Sequence, residues 1–172
     1  MKATEDFYKA YANIKRTGAT EFLKWLEGTD FFTAPASTKF HGSHANGLVE
    51  HSVKVFERLS KMVSQIYDIE TIALCSLLHD VCKANFYTVA MRNAKNDSTG
   101  VWEKKPYYTV DDQFPYGHGE KSVYLINKHM ILKEEEAMAI RWHMGGFDET
   151  TRGGGYYLNS ALEKYPMILY LH

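Results

Sequence analysis

The residues best suited to chemistry in this chain are its histidines, of which there are eight among 172 residues. One of them, His79, directly precedes Asp80 at the end of the apolar segment IETIALCSLLHDVCKA. Because burying an unpaired carboxylate is unfavourable, Asp80 needs a cation, a hydrogen-bond network or an unusual pKa. A divalent metal ion shared with His79 would meet that need. The alternative is that the helix simply ends here, with Asp80 exposed and His79 packed.

Three further histidines lie where they can reach a cleft between helices. His51 is at the border between the apolar and charged faces of a predicted helix, about 80° from the centre of the apolar stripe. His118 opens a predicted helix after a loop, and His143 ends another before a glycine-rich loop. Element ends that converge on a cleft are where ligands are usually presented. An isolated histidine such as His51 is, however, more often an ordinary half-buried side chain.

The elements that must position these residues are predominantly helical. Amphipathic periodicity predicts helices over residues 5–14 and 19–28, and most clearly over 48–66. Residues 69–81 are apolar on every side, which is typical of a helix in the middle of a bundle. Runs of β-branched and aromatic residues around NDSTG predict a β-hairpin inserted between helices at about residues 86–110. Three more segments have helical patterns, the last two on either side of a glycine-rich loop: GHGEKSVYLINKHMI, KEEEAMAIRWHMG and SALEKYPMILYLH.

Length and composition limit the possible classes of protein. A chain of 172 residues corresponds to about one domain. Its net charge of -1 provides no basic field to attract nucleic acid or anionic lipid, so nucleic acid is possible as a partner but not favoured. The charged first residues, and the absence of an apolar run of about 18 residues, predict a soluble cytoplasmic protein without a membrane partner. Cys75 and Cys82 are two helical turns apart, which predicts free thiols in a reducing compartment.

Four motifs, in order, resemble the HD-domain metal-dependent phosphohydrolases: NGLVEHS, LLHDVCK, GHGEKS and IRWHMGG. The resemblance covers about residues 40–172 and implies an all-α HD-domain helical bundle. We therefore expect one HD-type domain over 1–172, with an N-terminal helical extension and loop at 1–40 and a metal-binding core at 41–172. By resemblance, the metal ligands are His51, His79, Asp80, His118 and His143, the last two of which hold a second metal in some subgroups.

The resemblance also assigns residues to catalysis and to substrate binding. Lys83 matches a lysine that follows the His-Asp pair and contacts a phosphate, so Asp80 and Lys83 are the expected catalytic residues. Lys83 and Arg141 would offset the charge of the phosphate. The alternative for Arg141 is a solvated helix face.

The chain departs from the family pattern at two points. Cys82 stands where the family usually has Gly. The family's closing Asp normally lies just beyond a segment resembling ILYLH, whereas this sequence ends at His172. Asp148 follows His143 by five residues in a predicted loop and is not expected to substitute. Either the site has one carboxylate fewer, or the natural chain continues past His172.

These residues imply one or two divalent metal ions, and His and carboxylate ligands do not distinguish Fe, Mn, Ni, Zn and Mg. The expected function is hydrolysis of a phosphoester, in a nucleotide or a related small metabolite, by a metal-activated water. One alternative is a 3′–5′ exonuclease, because HGSHANGLVEHS also resembles certain exoribonucleases. A second alternative is a nucleotide-binding regulatory domain that has lost turnover. The aromatic residues of the loop and hairpin could stack a base or pack the insertion onto the bundle.

Overall fold

The chain is a helical bundle from which one β-hairpin projects. The computed structural model describes residues 2–172, so Met1, the first residue of the predicted extension, lies outside the described residues. Within 2–172 there are eight α-helices and one antiparallel pair of strands, which confirms the predicted all-α fold with an inserted hairpin. The helices are α1 (Lys2–Tyr11), α2 (Ala19–Glu27), α3 (Gly47–Val63), α4 (Ile69–Leu78), α5 (His118–Asn127), α6 (Glu134–Trp142), α7 (Tyr156–Lys164) and α8 (Met167–Leu171).

Helix α4 lies at the centre of the bundle. Every residue from Thr71 to Leu78 is buried, and helices α1, α3 and α6 pack against it. Its N-terminus is capped by Asp68, whose side chain accepts a hydrogen bond from the backbone N–H of Thr71 at 2.8 Å. The helix ends at Leu78, three residues before the predicted end. The difference arises because Asp80 leaves helical geometry (φ −101°, ψ 16°) and a short 3-10 turn follows over Val81–Lys83.

The N-terminal helices belong to the same hydrophobic core. Phe7 of α1 and Phe22 of α2 are fully buried in one cluster with the leucines of α4. The loop after α1 adds a polar contact, since the Arg16 guanidinium donates to both carboxylate oxygens of the fully buried Glu136 at 2.7 and 2.8 Å. Residues 2–40 therefore share a continuous core with the part of the chain that carries the candidate ligands.

The hairpin consists of β1 (Tyr87–Lys95) and β2 (Trp102–Val110), paired in register from Tyr87 opposite Val110 to Lys95 opposite Trp102. Most of its side chains are exposed on both faces, and Trp102 retains 68% of its accessible surface. Its base contacts the bundle through Tyr87, whose hydroxyl donates to the Ala36 carbonyl at 3.3 Å. The hairpin therefore projects from the bundle directly after the 3-10 turn that contains Lys83.

Both cysteines are buried free thiols, as the sequence predicted. Cys75 lies in the main core, whereas Cys82 lies beside the candidate site described below. None of the helices in residues 2–172 combines the length and the apolar character that crossing a membrane requires.

Candidate metal centre

Four histidines converge on the carboxylate of Asp80. His51 comes from α3, His79 from the end of α4, His118 from the first turn of α5 and His143 from the end of α6. Their Nε2 atoms lie 2.9–3.4 Å from the carboxylate oxygens, those of His118 and His143 near Oδ1 and those of His51 and His79 near Oδ2. The structure thus brings together the five residues that the resemblance assigned as ligands. Their role as ligands stays a prediction.

The five residues form two groups of three that share Asp80. One group is His51, His79 and Asp80, and the other is Asp80, His118 and His143. Within each group the potential ligand atoms all lie within 4.8 Å of one another. Imidazole nitrogens with a carboxylate oxygen are a common ligand set for divalent transition metals. The arrangement therefore offers two adjacent three-ligand groups joined by one carboxylate.

Backbone carbonyls fix the orientation of two of the rings. The Nδ1–H of His79 donates to the Ser76 carbonyl at 2.8 Å, and that of His143 donates to the Ile140 carbonyl at 2.7 Å. Each Nε2 then presents its lone pair towards Asp80. In many metal sites, a hydrogen bond from the other ring nitrogen orients the histidine in this way. The Nε2 of His143 is buried and has no hydrogen-bond partner among residues 2–172. A buried acceptor without a donor, facing a carboxylate, fits a divalent cation.

The ring of His118 is oriented by a thiol. Its Nδ1 lies 3.3 Å from Cys82 Sγ, and its Nε2 lies 2.9 Å from Asp80 Oδ1. A thiol can donate or accept a hydrogen bond, whereas a carbonyl can only accept. Cys82 is itself held against α5, because its backbone N–H donates to Ser122 Oγ at 3.2 Å. No sequence pattern predicted this contact, and the only signal was Cys82 at the family's usual Gly position.

Burial and charge favour the protonation states that a metal requires. Burial lowers the pKa of His51 to about 3 and also lowers the pKa of His79, so both rings are neutral near pH 7. Burial alone would raise the pKa of Asp80, but the positive charge of Lys83 and the hydrogen bond from His118 hold it well below its ordinary value. Neutral imidazoles and an ionised carboxylate are the ligand forms of these side chains.

Lys83 binds directly to the central carboxylate. Its ammonium lies 2.7 Å from Asp80 Oδ2, and 15% of its side chain stays exposed. Burial alone would lower the pKa of Lys83, but the adjacent Asp80 raises it, so the group is a cation at neutral pH. This cation lines an open cavity of about 320 Å³ together with Phe86, His118 and Lys121.

Gly119 allows α5 and α6 to approach each other closely at the site. A Cβ at Gly119 would lie only 2.1 Å from the carbonyl oxygen of Arg141, so a larger residue would separate the helices. The approach places His118 beside His143, with ring centroids 5.0 Å apart. Gly119 thereby holds the second three-residue group together.

Arg141 lies near the cluster but is engaged elsewhere. Its guanidinium pairs with Asp148 Oδ2 at 2.7 Å and with Glu120, and it stacks on the Trp142 ring at 3.9 Å. Asp148 also accepts the backbone N–H of Thr150 at 2.9 Å. The predicted contact of Arg141 with a phosphate stays a prediction, and Asp148 lies with Arg141 and not among the five clustered residues.

Comparison with known families identifies one match. The family model described as "HD domain" matches residues 48–171. This range contains the four histidines, Asp80, Lys83 and the hairpin, while α1 and α2 lie before it. Neither the curated proteins nor the solved structures gave a match.

Proposed function

We propose that this chain, which belongs to the HD domain family of metal-dependent phosphohydrolases, hydrolyses the phosphoester of a nucleotide or a related small metabolite. The observation that carries the proposal is the convergence of four imidazole Nε2 atoms on the buried carboxylate of Asp80, beside an open cavity. Family membership supports the reaction class. The choice of a small substrate rests on the cavity and on the chain's net charge of -1.

A divalent ion held by these residues would supply a water of lowered pKa and stabilise charge on the phosphoryl oxygens. The protein's part is to hold the ligand atoms in place. Backbone carbonyl oxygens orient His79 and His143 through their Nδ1 atoms, and the Cys82 thiol contacts Nδ1 of His118. Asp80 contacts both histidine pairs, so its displacement would disturb the whole cluster.

Lys83 supplies the positive charge nearest to the central carboxylate. It lines the cavity next to His118, where it can offset negative charge that develops on a phosphate in the transition state. Asp80 and Lys83 are therefore the residues that we assign to catalysis, the first as the shared carboxylate and the second as the phosphate contact.

The cavity supports a nucleotide as substrate. Its volume of about 320 Å³ is within the range of small-molecule sites, and Phe86 provides an aromatic wall on which a base can stack. The ammonium of Lys121 lies 5.2 Å from the centre of the Phe86 ring and pairs with Asp112 at 2.6 Å, which fixes this wall. The hairpin begins next to Phe86, so we assign residues 86–110 a role in substrate selection.

The test is elemental analysis of protein purified without chelator, followed by a substrate panel. We expect bound divalent metal and metal-dependent release of phosphate from a mononucleotide. The Lys83→Gln variant should lower kcat/KM with little change in metal content. Shortening of oligonucleotides without turnover of mononucleotides would favour the exonuclease alternative, and nucleotide binding without product would favour the regulatory one.

A further inference from the structure

A second cavity borders the cluster at His51. Its volume is about 360 Å³, and it shares no lining residue with the cavity beside Lys83 and His118. The lining residues are His41, Gly42, His44, Gly47, Glu50, His51, Lys54, Val55 and Arg58. His51 therefore belongs both to the candidate metal centre and to the wall of a separate cavity.

Helix α3 contributes two positively charged side chains, Lys54 and Arg58, to the wall of this cavity. His51, Lys54 and Arg58 are spaced at i, i+3 and i+7, so they lie on one face of the helix. The Cα atoms of His51 and Arg58 are about 10 Å apart along the axis. Because helical side chains tilt towards the N-terminus, Lys54 and Arg58 extend back towards His51. Both cations can thus reach a ligand whose other end lies at the cluster.

The cavity has an excess of positive charge. Glu50 is its one carboxylate, and Glu50 Oε2 lies 4.0 Å from Lys54 Nζ and 3.7 Å from His44 Nε2. Arg58 makes no ion pair with any residue in 2–172 and is exposed to solvent. An unpaired guanidinium is the side chain best suited to bind a phosphate through two parallel hydrogen bonds.

We propose that the cavity between His51 and Arg58 is an anion subsite, which binds a second phosphate group of the substrate. The inference rests on the proposed function, because the first phosphate is the one positioned at the cluster. It narrows the substrate class to nucleotides with a further phosphate, either a nucleoside polyphosphate or a nucleoside bisphosphate. A nucleoside monophosphate leaves Arg58 and Lys54 without a ligand.

The experiment compares kcat/KM for a nucleoside 5′-diphosphate and a 3′,5′-bisphosphate with kcat/KM for the 5′-monophosphate, using the metal-loaded full chain. We expect one of the two doubly phosphorylated substrates to be preferred, and its identity shows where the second phosphate lies. In Arg58→Gln, the preference should fall about tenfold, the effect of losing one charge-assisted contact. The matched control is Lys61→Gln, which removes one positive charge from α3 outside the cavity lining and should leave the preference unchanged.

Equal kcat/KM for all three substrates, or an unchanged preference in Arg58→Gln, would overturn the subsite. A metal-loaded protein that turns over none of them would instead refute the proposed function. The subsite then has its own test, which is calorimetric binding of inorganic pyrophosphate and orthophosphate to the full chain. Tighter binding of pyrophosphate that is weakened by Arg58→Gln and not by Lys61→Gln supports the subsite, and equal binding by both variants overturns it.

Discussion

Substituting Cys82 with Ala tests whether its thiol orients His118 for metal binding. The Sγ atom lies 3.3 Å from His118 Nδ1, and among residues 2–172 the ring has no other Nδ1 partner. Without the sulfur, the imidazole loses the restraint on its Nδ1 side, and only the 2.9 Å contact of its Nε2 with Asp80 Oδ1 still orients the ring. The substitution therefore weakens the group formed by Asp80, His118 and His143, while the group that contains His51 and His79 keeps its own ligands.

The expected size of the effect follows from the position of the sulfur, which contacts one candidate ligand, His118. Removing a group that orients a metal-binding histidine typically lowers metal affinity by about 10- to 100-fold, which corresponds to about 1.4–2.7 kcal/mol. His118 is one of the three candidate ligands in the second group and is absent from the first group. If the protein binds two metal ions, the substitution should weaken the binding of one ion and leave the affinity for the other nearly unchanged.

The assay is competition for Mn²⁺ or Co²⁺ with a chromogenic chelator, and the Co²⁺ absorption spectrum reports ligand geometry independently of activity. Cys75→Ala is the matched control, because Cys75 is also a buried free thiol but lies in the main core. Both substitutions remove one buried sulfur and should cost a similar free energy of unfolding, on the order of 1 kcal/mol. Cys82→Ser retains a hydrogen-bonding group and should restore part of the metal affinity.

Equal metal affinities for Cys82→Ala and Cys75→Ala would refute the orienting role. An unchanged Co²⁺ spectrum in Cys82→Ala would refute it as well, because a rotated His118 must alter the coordination geometry. If metal affinity decreased to the same extent in Cys82→Ala and Cys75→Ala, the effect would come from loss of core packing.

Three further predictions concern the ligands, the hairpin and the core. His79→Ala and Asp80→Ala should each lose bound metal by elemental analysis yet keep a helical circular dichroism spectrum, because both residues lie just after α4 and not within it. Replacing residues 86–110 with a short Gly-Ser linker should raise KM or broaden specificity at unchanged metal content. Arg16→Met should lower the free energy of unfolding by about 3 kcal/mol in urea denaturation, because it removes the guanidinium from the buried carboxylate of Glu136, which keeps its hydrogen bonds from the Thr71 hydroxyl and the Lys133 backbone N–H. Burial alone would raise the pKa of Glu136, but Arg16 holds it below its ordinary value. The ion pair between Arg16 and Glu136 therefore stabilises the fold fully above about pH 4.3, the ordinary pKa of a Glu side chain. This stabilisation is lost as the pH falls through the lower pKa of Glu136 in the folded protein. The free energy of unfolding should thus decrease more steeply in acid for the wild type than for Arg16→Met.

Each of these predictions has an outcome that contradicts it. Stoichiometric metal in both His79→Ala and Asp80→Ala would show that the cluster is not the metal site. Unfolding of the linker variant would mean that the hairpin is part of the core. A loss below 1 kcal/mol in Arg16→Met, or parallel pH profiles for the two proteins, would mean that solvent screens the ion pair.

Patterns within single segments predicted most of the fold. The uniformly apolar residues 69–81 indicated the central helix, and the runs around NDSTG indicated the hairpin, because both signals depend on neighbours in sequence. The end of α4 differed from the predicted end at residue 81, since the turn after Leu78 depends on contacts that Asp80 makes with other helices. Periodicity alone contains no information on such contacts.

The candidate site was predicted as a set of residues but not as an arrangement. Sequence motifs identified the four histidines and Asp80, yet nothing local indicated that Asp80 belongs to both groups of three. The second group forms only because α5 and α6 approach each other closely at Gly119, which places His118 and His143 side by side next to Asp80. The ion pairs of Arg141 with Glu120 and Asp148 and the contact between Cys82 and His118 likewise join residues distant in sequence, so only tertiary packing determines them.

The exposed turn of the hairpin, between Lys95 and Trp102, separates the candidate ligands into two sets along the chain. His51, His79 and Asp80 precede it, and His118 and His143 follow it, while the two halves are joined in space by the packing of α4 and α5 against α6. An exposed loop tip is a preferred site for proteolysis. A single cut at this turn would produce two fragments, each with only part of the candidate ligand set. Metal binding would then require the fragments to reassociate, which would make the centre a reporter of fragment complementation.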